Sequence, residues 1–201
     1  MPLNRKNMSA DMRRAVTVKA VIELAAIQNP SDITTAAIAR HMNVTQGALF
    51  RHFANKEAIW QAVIEWVTDH LLKQIDNSAN AADTPISALR AIFMTHIDFV
   101  TSHPGVPRMM FGEMQHSEDT APKKSVCKLI KKYGQRVISL IEQGKHLGEI
   151  DPTVDPMAAQ TMFMGCIQGL VIQSLLVGEM ENMTERAPKV FDIYIRGIEN
   201  K

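Results

Sequence analysis

Between Ile33 and Lys56 the sequence opens a helix three times within one short stretch, which few folds tolerate. Thr34, Thr45 and Asn55 each stand just ahead of a helix-forming run, placed to accept from the unpaired N–H groups of its first turn. Ile33 is spaced to touch Ile38 and Val44 to touch Leu49, so each of the two short runs begins with an apolar staple. The runs read as a helix ending at His41, a second from Gln46 to Phe53, and a longer third from Lys56 to about Asn77. Asn43 falls in the turn between the first two, where the backbone must turn left-handed, and Asn adopts that conformation more readily than any residue but Gly. Ile38, Met42, Val44 and Leu49 supply a shared apolar seam, and Ala39 is small where the two helices cross.

Helical spacing continues along the 201 residues, and no stretch alternates apolar and polar side chains between turn residues, so the chain reads as all-α with about nine helices. A helix over residues 11–28 comes first and ends at "QNPSD", because Pro30 disfavours a helical Asn29. The small polar run "NSANAADTP" marks a linker, followed by helices near residues 86–102, 107–116, 123–148, 156–177 and 184–200. The expected organisation is an N-terminal domain over residues 1–56, a connecting helix over 56–77, and a C-terminal domain over 78–201. At 46% hydrophobic residues the chain can fill two cores. Cys127 and Cys166 lie far apart and outside any ligand spacing, so neither a disulfide framework nor a metal site is expected, and no cofactor. The basic start, "MPLNRKNMSADMRRAV", has no apolar run behind it, which points to a cytoplasmic location.

The net charge of +1 hides a division. Residues 1–56 hold eight Lys and Arg against three Asp and Glu, for +5, while the remainder holds fourteen against eighteen, for −4. A basic head on a mildly acidic body suits a polyanionic partner at one end. Two short helices joined by a tight turn are the helix-turn-helix unit, whose second helix enters the major groove of double-stranded DNA. Gln46, Ala48 and Arg51 have the chemistry to read base edges, and Gly47 allows close approach. Thr34, Thr35, Thr45, His52 and Lys56 supply hydroxyl, imidazole and ammonium groups suited to phosphates.

These residues also resemble a family. The stretch "ITTAAIARHMNVTQGALFRHFANKEAIWQAVI" is similar to the DNA-binding head of the TetR family of transcriptional regulators. The resemblance covers about residues 11–66, through the threonine pair, the T-x-G-A-L-F-x-H-F core and the N-K-E that opens the connecting helix. It implies a homodimeric regulator, most often a repressor, with a helical ligand-binding and dimerisation region behind the head. The "GEIDP" run before two long closing helices is similar to that region. Two positions depart from the family pattern: Phe50, a candidate DNA contact, stands where Tyr is usual and can pack against the DNA backbone but cannot donate to a phosphate, and Asn43 replaces a more usual Gly.

One short recognition helix contacts too few bases to specify an operator, so two heads about one DNA turn apart (~34 Å) are expected, and with them a homodimer on a palindrome. The uncharged stretch over residues 157–177, with Gly165, Gly169, Ile172 and Leu176 on it, is the expected interface together with the final helix. The same stretch is long enough for a bilayer, but Gln160, Gln168 and Gln173 within it and acidic flanks at Asp155 and Glu179 argue for a soluble bundle and no membrane. The resemblance further implies a small apolar or amphipathic effector. Phe93, Met94, Ile97, Met109, Met110, Phe111, Met114, Met162 and Phe163 are the residues that would line its pocket, although such spacing equally describes plain core. A DNA-binding protein whose body recruits or inhibits a protein partner, without an effector, is the alternative.

Catalysis finds little support. Glu113-x-x-His116 is half of a carboxylate-bridged di-iron motif, but no second such pair exists, nor a phosphate-binding glycine loop or nucleophile elbow.

Overall fold

The structure, a computed structural model, describes residues 9–201. Arg5 and Lys6, which contribute to the basic head, lie outside the described residues, as does the start of the expected 1–56 domain. Among the described residues there are nine α-helices and no strand, only an isolated bridge between Ile150 and Glu199. They are α1 (Ala10–Ile27), α2 (Thr35–His41), α3 (Gln46–Phe50), α4 (Lys56–Asn80), α5 (Pro85–Ser102), α6 (Gly105–Met114), α7 (Ala121–His146), α8 (Pro156–Val177) and α9 (Glu181–Arg196). A single 3-10 turn, Pro30–Asp32, sits between α1 and α2.

The helices divide into two compact units: the chain up to Thr68 together with His103–Val126, and Asp69–Ser102 together with Cys127–Lys201. Residues 103–126 thus pack with the N-terminal helices, although in sequence they follow the expected linker. The linker is also shorter than expected, because α4 continues to Asn80 before the chain turns.

In the first unit α1 is the central element, packed on α2 and on α6. Its start is capped by Ser9, whose hydroxyl accepts from the Met12 N–H at 3.2 Å. Val18, Val21, Ile22, Leu24 and Ala25 of α1 are buried, as are Ile33, Ile38, Leu49, Phe53 and Ile59, and together they belong to this unit's core. α1 and α6 approach closely at Gly105, where an added Cβ would lie 2.1 Å from the Ile22 carbonyl oxygen.

In the second unit α5 and α8 both pack on α9. A reciprocal cap opens α5: the Ser87 N–H donates to the Thr84 hydroxyl oxygen at 3.2 Å, and the Thr84 N–H donates to the Ser87 oxygen at 2.9 Å, with Pro85 in the first turn. Asp155 accepts from the Ala158 N–H at 2.7 Å to start α8, and Gly178, at φ 80°, ends it in the left-handed conformation. The core is an aromatic cluster. Phe93 meets Phe163 and Phe191 edge-on with centroids 5.3 and 5.4 Å apart, and Tyr194 lies 5.6 Å from Phe163. The Tyr194 hydroxyl donates to the Ala159 carbonyl at 3.1 Å, so its one polar atom is satisfied in the interior. Beside the cluster, His96 Nδ1 lies 3.3 Å from the Tyr133 hydroxyl, and burial lowers the imidazole pKa to about 4, so the ring is neutral at pH 7. Asp76 and Arg136 pair through two oxygens, at 2.5 and 2.8 Å, and the bonded guanidinium holds the carboxyl below the usual carboxylate range.

Candidate nucleic-acid interface

The three helix starts read from the sequence are built as their residues dictate. The Thr34 hydroxyl oxygen accepts from the Ala37 N–H at 3.0 Å, the Thr45 oxygen from the Ala48 N–H at 3.2 Å, and the Asn55 side chain from the Ala58 N–H at 2.8 Å. Between α2 and α3 the chain turns at Asn43, whose φ of 55° is the only positive value at a non-glycine position among the described residues. There the Val44 N–H reaches back to the Ala39 carbonyl at 2.9 Å and closes the turn. An L-residue in this conformation costs about 1–2 kcal/mol unless, like Asn, its short polar side chain is tolerated there.

The helix expected over Gln46 to Phe53 stops at Phe50. The His52 and Phe53 N–H groups still bond to the Leu49 carbonyl, so Phe53 reaches the core through a turn rather than a further helical step. Arg14 holds that turn from α1: its guanidinium donates to the His52 carbonyl at 3.2 Å and lies 4.8 Å from the centroid of the Phe53 ring. No signal near residues 50–53 announces this, because Arg14 is distant in sequence.

Thr34, Thr45, Gln46, Gly47 and Arg51 are exposed, and Thr35, Ala48 and His52 are half-buried. A Cβ added at Gly47 would meet no atom, so the backbone of α3 is open on that side. Phe50 is 43% exposed on the surface of this short helix. Gln46 is joined to the start of α2, where its amide donates to the Thr35 hydroxyl at 2.6 Å. That bond fixes the side chain most suited to reading a base, and links it to a hydroxyl suited to a phosphate.

Lys56 does not stand free on the surface. Its ammonium donates to the Ser31 carbonyl at 3.2 Å and lies 4.8 Å from the Trp60 ring centroid. Loss of hydration lowers its pKa, against the attraction of Asp32 and Glu113. Engaging a phosphate would require the side chain to swing outward.

The residues expected to line an effector pocket are divided. Met109, Met110, Phe111 and Met114 lie on α6 in the first unit, with Met109 buried, Met110 and Phe111 half-buried and Met114 exposed. Phe93, Met94, Ile97, Met162 and Phe163 lie in the second unit. There Phe93, Ile97 and Phe163 are core, Met94 is half-buried, and Met162 faces outward. The rings of Tyr133, Phe191 and Tyr194, which complete the cluster, escaped the sequence reading, although Phe191 and Tyr194 stand at helical spacing on the closing helix. On α8, Gly165 and Ile172 are exposed, Gly169 half-buried, and Leu176 81% exposed, while a Cβ at either glycine would meet nothing. This helix is long and apolar enough to cross a bilayer, with mean hydropathy 1.4, yet Phe163, Ile167, Leu170 and Val171 bury its other face within the unit. Among the described residues no group of His, Cys, Asp or Glu is arranged to hold a metal ion.

Two family descriptions match the chain: "Bacterial regulatory proteins, tetR family" over residues 18–63 and "YsiA-like protein, C-terminal region" over residues 65–197. The chain belongs to the TetR family. Its fold is the family's: a helix-turn-helix head followed by a helical C-terminal region. Among solved structures, this TetR-family chain is similar to the fatty acid degradation regulator FadR of Bacillus halodurans, with TM-score 0.84 and 17% identity over 98% of this chain and 100% of that one. It is also similar to FadR of Bacillus subtilis in complex with stearoyl-CoA, with TM-score 0.81 and 17% identity over 92% and 98% of the two chains. Identities this low establish the fold alone. By sequence it is 34% identical over 96 residues to the nucleoid occlusion factor SlmA of Actinobacillus pleuropneumoniae, a match that spans 48% of each chain. The TetR-family chain thus spans about half the length of that relative.

Proposed function

We propose that the chain is a homodimeric regulator, a repressor, that binds a palindromic operator in double-stranded DNA by placing α3 in the major groove, and that a small apolar or amphipathic effector releases it. The observation that carries the reading is the outward face of α3: Thr45, Gln46, Gly47, Phe50 and Arg51 exposed on a helix whose start is capped and whose entry turn is set by Asn43. Gln46, Ala48 and Arg51 meet base edges, and Thr34, Thr35, Thr45, His52 and Lys56 meet phosphates. The functional division follows residues 1–56 for DNA and 78–201 for effector and dimer, with residues 56–77 joining them.

The exposed uncharged face of α8, with Gly165, Gly169, Ile172 and Leu176, is the proposed dimer surface. Small residues there admit a partner helix at close range, and the solvent-facing apolar side chains gain burial. Within the second unit the proposed effector contacts are Phe93, Met94, Ile97, Met162 and Phe163; within the first they are Met109, Met110, Phe111 and Met114 on α6. An amphipathic effector is supported by the FadR neighbour solved with stearoyl-CoA. The working location is the cytoplasm, where the operator is.

The test of DNA readout is a pair of substitutions. Gln46→Ala is expected to change base preference when bound sites are selected from random duplexes. Lys56→Ala is expected to weaken all sequences alike and lower the salt slope by about 1. Equal losses from both across all sequences would refute the division of labour.

A second reading is favoured by the nucleoid occlusion factors among the relatives: the DNA-bound chain acts on a protein partner and takes no effector. Thermal shift separates the two. An acyl thioester that binds the folded protein at about 100 times its Kd adds about 2.7 kcal/mol of stability and raises the melting temperature. No shift from any member of an acyl thioester and fatty acid series would favour the protein-partner reading.

A further inference from the structure

The first unit holds a cleft of about 580 Å³, within the range of small-molecule sites. The 3-10 turn, the start of α4, α6 and the segment leading into α7 form it. Its apolar walls include Trp60 and Met109, both buried. Glu113 lines it from α6 at 6% exposure, an uncommon position for a carboxylate. Its hydrogen bond is a long one, from the Thr120 hydroxyl at 3.5 Å. Burial raises the Glu113 carboxyl above its ordinary range, while nearby His116, Thr120 and Lys56 pull it back down.

Gly112 supplies a second, independent observation. It lies inside α6, where glycine costs roughly 1 kcal/mol relative to alanine. A Cβ there would meet no atom within 4 Å, so packing does not demand glycine. What its absent side chain preserves is room, because Gly112 is on the lining of the cleft.

Lys56 shows what the cleft accepts. Its alkylammonium group reaches in, covers the Trp60 ring and bonds to the Ser31 carbonyl. Lys56 and Arg108 balance Glu57 and Glu113 around the lining. When Lys56 swings out to a phosphate, that balance turns negative, the Trp60 face opens, and the buried Glu113 carboxylate loses a cation that attracts it. An incoming anion would meet that carboxylate at close quarters.

We propose that this cleft is a binding site for a small organic ammonium ion, which takes over the Trp60 face and Ser31 carbonyl from Lys56 and compensates Glu113. The occupant frees Lys56 for the DNA backbone, so ammonium and duplex strengthen each other's binding by the same factor. This coupling, though not the binding itself, rests on the phosphate role proposed above for Lys56.

The experiment is calorimetric titration of the full chain with n-hexylammonium chloride, with sodium hexanoate and hexanol as controls. Hexylammonium is expected to bind at least about 10-fold tighter than either control, and Lys56→Ala to tighten it several-fold by removing the internal competitor. Glu113→Gln and Gly112→Leu are each expected to weaken it by about 10-fold or more. Should Glu113→Gln fail to fold, Gly112→Leu decides, because its side chain grows into open space. On a selected duplex, hexylammonium is expected to raise DNA affinity by about 5-fold or more, and Lys56→Ala to abolish the increase. Equal binding of hexanoate, unchanged binding by Gly112→Leu, or no binding of hexylammonium up to about 10 mM would overturn the site. A chain that binds hexylammonium but no duplex would instead overturn the DNA reading and leave the site standing.

Discussion

Phe163→Ala is expected to lower the unfolding free energy of the second unit by about 3–5 kcal/mol, and Met162→Ala, one position earlier, by less than about 0.5 kcal/mol. Phe163 has no exposed surface and meets rings on three other helices: Phe93 on α5, at 5.3 Å between centroids, Tyr194 on α9, at 5.6 Å, and Tyr133 on α7, at 6.5 Å. Truncation removes those edge-to-face contacts and leaves a cavity that cannot close, because the neighbouring rings are held by their own packing and by the Tyr194 hydroxyl bond to Ala159. Met162 points the other way and is 56% exposed, so little burial is lost with it. Denaturant titration of both variants measures the contrast. A small loss for Phe163→Ala would mean that this ring lines a cavity the protein keeps open rather than filling the core.

That contrast shows where the sequence is informative. Periodicity reveals that a residue is on an apolar helix, but adjacent positions on one helix point in different directions, and helix packing across the unit decides which is buried. The head was more legible because its determinants are local: Thr34, Thr45 and Asn55 cap the helices they immediately precede, and Asn43 adopts a conformation its own chemistry permits. Where a distant residue intervenes, local reading stops short. Arg14 reaches the His52 carbonyl just beyond the early end of α3, and Lys56 is tucked against Trp60 and the Ser31 carbonyl. The packing of residues 103–126 with the head was hidden for the same reason, since "HPGVP" reads only as a break. The cleft was equally hidden. Glu113 and His116 drew notice as half of a metal motif, whereas the structure buries Glu113 and leaves His116 exposed.

The glycine of "HPGVP" is where a one-methyl change should have its largest effect on the head: Gly105→Ala is expected to cost the first unit about 3 kcal/mol, at the upper end for overpacking. The added Cβ would lie 2.1 Å from the Ile22 carbonyl oxygen and 2.9 Å from the Ala26 nitrogen. Both are backbone atoms of α1, so no side chain can rotate away, and the two helices must separate. Because α1 also packs on α2, the shift reaches the helix-turn-helix, and DNA affinity is expected to fall along with the melting temperature. Gly112→Ala provides the control on the same helix. Its Cβ meets open space and alanine favours the helix, so it should be neutral or stabilising by up to about 1 kcal/mol. Thermal melts of the two variants side by side separate a glycine required by the approach of α1 from one that packing does not require. Equal melting temperatures would show that α1 and α6 have slack at their crossing, and that Gly105 does not set their separation.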